Sequence, residues 1–158
     1  MTVLSEAVWP GDALQFGTAS VPDYSFSPLQ LFPRSSTTLV NPEELTEEAR
    51  EILSKIKSFS SLKAGWDSYG AEPPSNVAIH NSLRLVKSLD RQRVAVYFTA
   101  PGPNGEVLVE LKRGNKSVEV TFEPNGESTY AKFLGDDCVE EDSFGDQGSS
   151  QLIQWLSS

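Results

Sequence analysis

Residues 107–122 read VLVELKRGNKSVEVTF. Val107, Val109 and Leu111 fall on one face, and Val118, Val120 and Phe122 do the same opposite Glu119, Thr121 and Glu123. A period of two is the signature of a strand with one buried face. Between the two runs, Gly114 and Asn115 supply turn chemistry, which predicts an antiparallel pair.

The same pattern extends outward in both directions. VAVYF (94–98) places Val94, Val96 and Phe98 on one face and leads into a PGPNGE turn around Asn104–Gly105. Downstream, a turn at Asn125–Gly126 precedes a fourth alternating run, STYAKFL (128–134). The expectation is a four-stranded antiparallel meander with one apolar face. That face needs a cover, and two amphipathic helices precede it. Leu45, Ala49, Ile52, Leu53 and Ile56 recur at helical spacing, with Asn41 as the predicted cap, Pro42 at the first helical position and Glu44 closing a capping box. Glu43, Glu44, Glu47 and Glu48 suit the positive end of that helix, and Lys55 and Lys57 its negative end. A second helix should follow Pro74 with Ser75 as cap, its stripe being Ile79, Leu83, Val86 and Leu89. His80, the single histidine, lies beside that stripe and reads as a surface or boundary residue. The fold class is therefore α+β: two helices packed on the meander, forming a body over residues 41–134.

The ends read differently. Residues 1–40 hold Pro10, Pro22, Pro28 and Pro33, which exclude a long helix, yet carry Trp9, Phe16, Tyr24, Phe26, Leu29, Leu31 and Phe32. An extended arm is expected, draped over the body or over a partner. Residues 135–158 begin as an acidic Gly/Ser-bearing stretch expected to be loop or disordered. They end in QLIQWLSS, where Leu152, Ile153, Trp155 and Leu156 form an apolar plug that docks on the domain or meets a partner.

The net charge of −9 is unevenly spread. Residues 41–134 hold 13 acids and 12 bases, whereas 135–158 hold six acids and no base. No dense basic run is present, so direct nucleic-acid binding and attachment to anionic membranes are not expected. No apolar run approaches the roughly 20 residues of a membrane span. Glu6 and Asp12 stand where a signal peptide would be apolar, which predicts a cytoplasmic protein. The lone Cys138 excludes an intrachain disulfide and paired-cysteine zinc ligation. No cofactor or metal is expected, and the acidic tail fits no EF-hand spacing.

One stretch is dense enough to invite a catalytic reading: LKAGWDSYGAEPPS (62–75). Asp67 and Tyr69, with His80, could serve a small enzyme in a cleft, although no nucleophile–base set accompanies them. The structural reading makes Trp66 and Tyr69 anchors wedged between helices and sheet. Asp67 would accept loop amides, Gly65 and Gly70 would adopt backbone angles closed to other residues, and Pro73 and Pro74 would stiffen the corner.

GWDSYGAEPP, followed by a helix, an NGEV turn, VLVEL, VEVTF and the spacing from Gly126 to Tyr130, resembles small uncharacterised bacterial and phage proteins with a G-W-D-x-Y-G-A-x-P stretch and a short meander. The resemblance spans roughly residues 60–132 and implies no activity; it suggests the accessory genes in which toxin neutralisers and defence proteins occur. The leading expectation is a non-enzymatic interaction protein of antitoxin or immunity type. It would grip a protein partner with a basic surface through Trp9, Phe16, Tyr24, Phe26 and Phe32 of the arm. Asp136, Asp137, Glu140, Glu141, Asp142 and Trp155 of the tail would complete the grip. The alternatives are the small enzyme and an assembly protein of a phage or bacterial complex.

Overall fold

The computed structural model describes residues 44–146 and 148–158. The expectations for the arm, including Trp9, Phe16, Tyr24, Phe26 and Phe32, and for Asn41, Pro42 and Glu43 lie outside the described residues. The elements run α1 (Glu47–Ser58), a 3₁₀ turn (Phe59–Ser61), α2 (Asn76–Arg91), β1 (Phe98–Pro101), β2 (Val107–Arg113), β3 (Lys116–Phe122), β4 (Ser128–Leu134), β5 (Asp137–Ser143) and α3 (Gly148–Ser157). The strands form one antiparallel sheet in the order β1-β2-β3-β4-β5. The α+β class and the meander hold, with one strand and one helix more than expected.

Helix α1 starts later than its sequence pattern suggested. Thr46, with extended angles, is the N-cap, and its hydroxyl oxygen accepts from the Ala49 amide at 3.2 Å. Glu44 lies before the helix and closes no capping box within it. The reason is tertiary: the Thr46 hydroxyl also donates to the Asp90 carboxylate at 2.6 Å, near the end of α2. One side chain thus caps α1 and ties it to α2. Helix α2 begins as expected, with the Ser75 oxygen accepting from the Ala78 amide at 3.0 Å.

The core is the inner face of the sheet under the helices. Val107, Val109, Leu111, Val118, Val120 and Phe122 are buried against Leu53 and Ile56 of α1, Ile79, Leu85, Val86 and Leu89 of α2, and Leu152 and Leu156 of α3. Burying each of these side chains contributes about 1.5–3 kcal/mol relative to exposure, so this face carries most of the fold's stability.

Two corrections follow from how the sheet is finished. The alternation expected from Val94 to Phe98 slips by one residue. Val94 and Val96 do pack on the core, but the strand starts only at Phe98, which is 43% exposed opposite Glu110. Thr99 takes the inward place because it pairs with the buried Val109, and its hydroxyl donates to the Leu108 carbonyl at 2.8 Å. The stretch 135–158 is not a loop: it supplies β5 and α3, and the expected apolar plug docks on the domain as part of that helix. β4 would otherwise leave a row of unpaired backbone groups, and Asp137–Ser143 pairs with it despite its acids. Leu152 and Leu156, four residues apart, then give α3 its buried stripe.

Candidate functional site

The corner at 62–75 is held by backbone geometry. Gly65 (φ 76°), Ser68 (φ 68°) and Gly70 (φ 94°) all occupy the left-handed region, so the chain folds back tightly enough for the Gly65 amide to donate to the Ala71 carbonyl at 2.8 Å. Inside that loop, Asp67 Oδ1 accepts from the amides of Tyr69 (2.8 Å) and Ala71 (3.0 Å). The Ala71 amide first, then that of Tyr69, holds the Asp67 carboxyl below its ordinary range, because both donors favour the charged form. Trp66 Nε1 donates to the Glu72 carbonyl at 3.1 Å.

The corner then docks on the β1–β2 turn. The Glu72 amide donates to the Pro103 carbonyl at 2.8 Å, and the Ser75 amide donates to that of Gly105 at 2.9 Å. Gly105 has φ 88°, and a side chain there would sit 3.2 Å from Pro124 and 3.3 Å from the Pro73 carbonyl. The GWDSYGAEPP stretch and the PNGE turn are thus two halves of one contact. Asp67 does what the structural reading asked of it. Tyr69 does not: it is 94% exposed and wedges nothing. Trp66 is half-buried but lies outside the core cluster. His80 is exposed on α2. Cavities of about 620 and 270 Å3 open elsewhere on the body, and Asp67, Tyr69 and His80 line neither.

The acidic segment makes the second candidate site. All seven residues of β5 are exposed, and among the described residues the strand pairs only with β4, at the end of the sheet. A register shift sets Lys132 opposite Glu140 and Phe133 opposite Cys138, so Val139 bulges out between them. Asp137, Glu140, Glu141 and Asp142 lie along this edge, with Asp136 in the turn before it. Because side chains alternate, Glu140 and Asp142 stand opposite Lys132 and Tyr130, whereas Glu141 stands opposite Ala131.

The edge is anchored through Glu140. Its carboxylate accepts from the Tyr130 hydroxyl and from the Lys132 ammonium, the latter at 2.9 Å. The Tyr130 hydroxyl first, then Lys132, keeps the Glu140 carboxyl below its usual range. In return the hydrogen bond to Glu140 pushes the Tyr130 phenol up to about 12. Lys132 is only 7% exposed, with its ammonium 5.2 Å from the centre of the Tyr130 ring and 5.7 Å from that of Trp155.

Trp155 has therefore docked on the domain, one of the two roles foreseen for it. Its carbonyl accepts from Lys116 at 3.0 Å, and the same ammonium lies 5.1 Å from its ring centre. Lys116 also donates to the Ser158 carbonyl at 3.0 Å, which pins the last residue of α3's extension.

No protein-family model, no curated protein and no solved structure matches the chain. The site's chemistry rests on its own geometry. Among the described residues, no cluster of three or more His, Cys, Asp and Glu is arranged to hold a metal ion, and no helix is long and apolar enough to cross a membrane. Sequence reasoning found the acids but missed the strand that carries them. The available signal was the matched spacing of Tyr130 and Lys132 with Glu140 and Asp142, two residues apart on each side.

Proposed function

We propose that this protein is a non-enzymatic interaction module of antitoxin or immunity type, acting in the cytoplasm, that binds a protein partner bearing a basic surface. The observation that carries the reading is the exposed, acidic outer edge of β5, which pairs with no further strand among the described residues. An unpaired strand edge offers a row of amides and carbonyls that a partner's extended segment can extend by one strand. Carboxylates along it repel a second copy of the same edge and favour a cationic partner. The other end of the sheet is less suited: β1 has four residues, one of them Pro101, and α1 packs beside it. In this reading Trp9, Phe16, Tyr24, Phe26 and Phe32 of the arm add apolar contacts, and Trp155 stabilises the platform rather than meeting the partner.

The test is capture of partners by the full chain from lysate of its source cells, compared with the Asp137→Lys, Glu141→Lys, Asp142→Lys variant. Glu140 is left in place to preserve the anchor. A partner retained by the wild type, released by salt, lost with the variant and cross-linked to residues 137–143 supports the reading. Equal retention by the variant, or cross-links confined to other surfaces, overturns it.

A further inference from the structure

A second surface, opposite in sign to β5, lies along α2. A groove of about 620 Å3 separates the outer face of this helix from Phe122 at the end of β3, Ser128 at the start of β4 and the segment after β5. Arg84, Lys87 and Arg91 line one wall. Their spacing of three and then four residues puts them on one helical face, spread over about 10 Å of helix axis. All three are exposed, and none forms an ion pair among the described residues. Among the described residues, the only acid lining the groove is Asp146. Beside Asn81, Ser88, Ser128 and Ser149, three apolar side chains line it: Leu85 and Phe122, both largely buried, and Phe144, which meets Phe122 edge to face at 6.1 Å.

In a chain of net charge −9, three cations without an ion-pair partner among the described residues, set beside Phe122 and Phe144, form a surface suited to negative charge. We infer that this groove docks an acidic peptide segment of a protein partner, one with at least two carboxylates and an apolar anchor side chain. The row of cations is too long for a single phosphate or carboxylate to pair with all of it. In an extended peptide, alternate residues fall about 6.5–7 Å apart on one side, so two carboxylates span the row. The residue between or beyond them reaches Phe144 and Leu85. Nucleic acid is disfavoured because the net charge of −9 repels a long polyanion. This inference does not rest on the reading of β5.

The test is to pan a phage-displayed library of random dodecapeptides against the full chain, then to measure selected peptides by fluorescence anisotropy. The expected peptides share two or more Asp or Glu and one aromatic or Leu. They bind more weakly as salt rises, and lose at least tenfold in affinity with Arg84→Glu, Lys87→Glu, Arg91→Glu or with Phe144→Ala. Lys87→Glu alone, on an exposed residue, keeps the test decisive should the triple variant not fold. Circular dichroism verifies the fold of each variant. An absence of acidic consensus, or equal binding by the charge-reversed chains, overturns the inference. Displacement of the peptides by a single-stranded oligonucleotide at lower concentration than by free peptide reassigns the groove to phosphate. Salt-sensitive dimerisation of the wild type through the same three cations reassigns it to a second copy.

Discussion

The ammonium of Lys132 donates to Glu140 at 2.9 Å across the β4–β5 ladder, and it does so from an almost fully buried position between the rings of Tyr130 and Trp155. One cation therefore joins three pieces of the C-terminal half: β4, β5 and α3. Lys132→Met keeps the apolar stem but removes the charge. It should lower stability by about 1–2 kcal/mol, the scale of a desolvated cation over aromatic faces. Urea unfolding followed by tryptophan fluorescence checks this; an unchanged midpoint means the cation holds nothing together.

Tyr130 gives a spectroscopic handle on the same anchor. Its phenol is raised to about 12 by the hydrogen bond to Glu140, so the folded state keeps the proton that an unfolded chain would lose near pH 10. The associated stability is fully present below the ordinary phenol pKa and is lost as pH rises through about 12. Ultraviolet titration should show a late phase from this phenol. Tyr130→Phe should remove that phase, and Glu140→Gln should move it to lower pH.

Asp67 separates the catalytic from the structural view of the corner. Its carboxyl is lowered by the Ala71 and Tyr69 amides, so its contribution to stability is present above the ordinary carboxylate pKa and lost as pH falls through the lowered one. Asp67→Ala should lower the thermal midpoint at neutral pH and flatten its decline in acid. Asp67→Asn, which retains an acceptor at Oδ1, should lose less. Unchanged midpoints in both variants would remove the structural role.

A conflict on the outer face of the sheet predicts a stabilising change. Glu110 stands directly opposite Glu119 on neighbouring strands, and the Glu119 carboxyl is raised by burial first and by Glu110 second. For a raised acid, stability is greatest below the unfolded pKa and is lost as pH rises through the folded one. Glu119→Gln should therefore stabilise the protein at neutral pH by about 0.2–1 kcal/mol, visible as a higher urea midpoint. The gain should vanish in acid, where Glu119 is protonated.

The helices and the central strands were legible because their side chains are sorted by burial. Val107, Val109, Leu111, Val118, Val120 and Phe122 face one core, and periodicity reports that directly. The elements that escaped are held by other forces. β5 is built by backbone hydrogen bonds to β4, with every residue exposed, so it has no apolar alternation, and only the spacing of Glu140 and Asp142 against Tyr130 and Lys132 hints at a strand. Thr46 is chosen as a cap through Asp90, 44 residues away. The one-residue slip at Phe98 is imposed by pairing with β2. At the corner, Asp67 could be read from turn chemistry alone. Tyr69 could not, since an aromatic beside two glycines reads the same whether it faces core or solvent.

The most direct test of the central claim is hydrogen–deuterium exchange of the full chain, alone and bound to the partner it captures. The free protein should show measurable protection in β4 and weaker protection in β5. On binding, the amides of Asp137–Ser143 should gain protection as the open edge acquires a new strand, while the corner at 62–75 stays unchanged. Protection that appears at the corner instead, with β5 exchanging as before, would contradict the account and move the partner site to Trp66 and Tyr69.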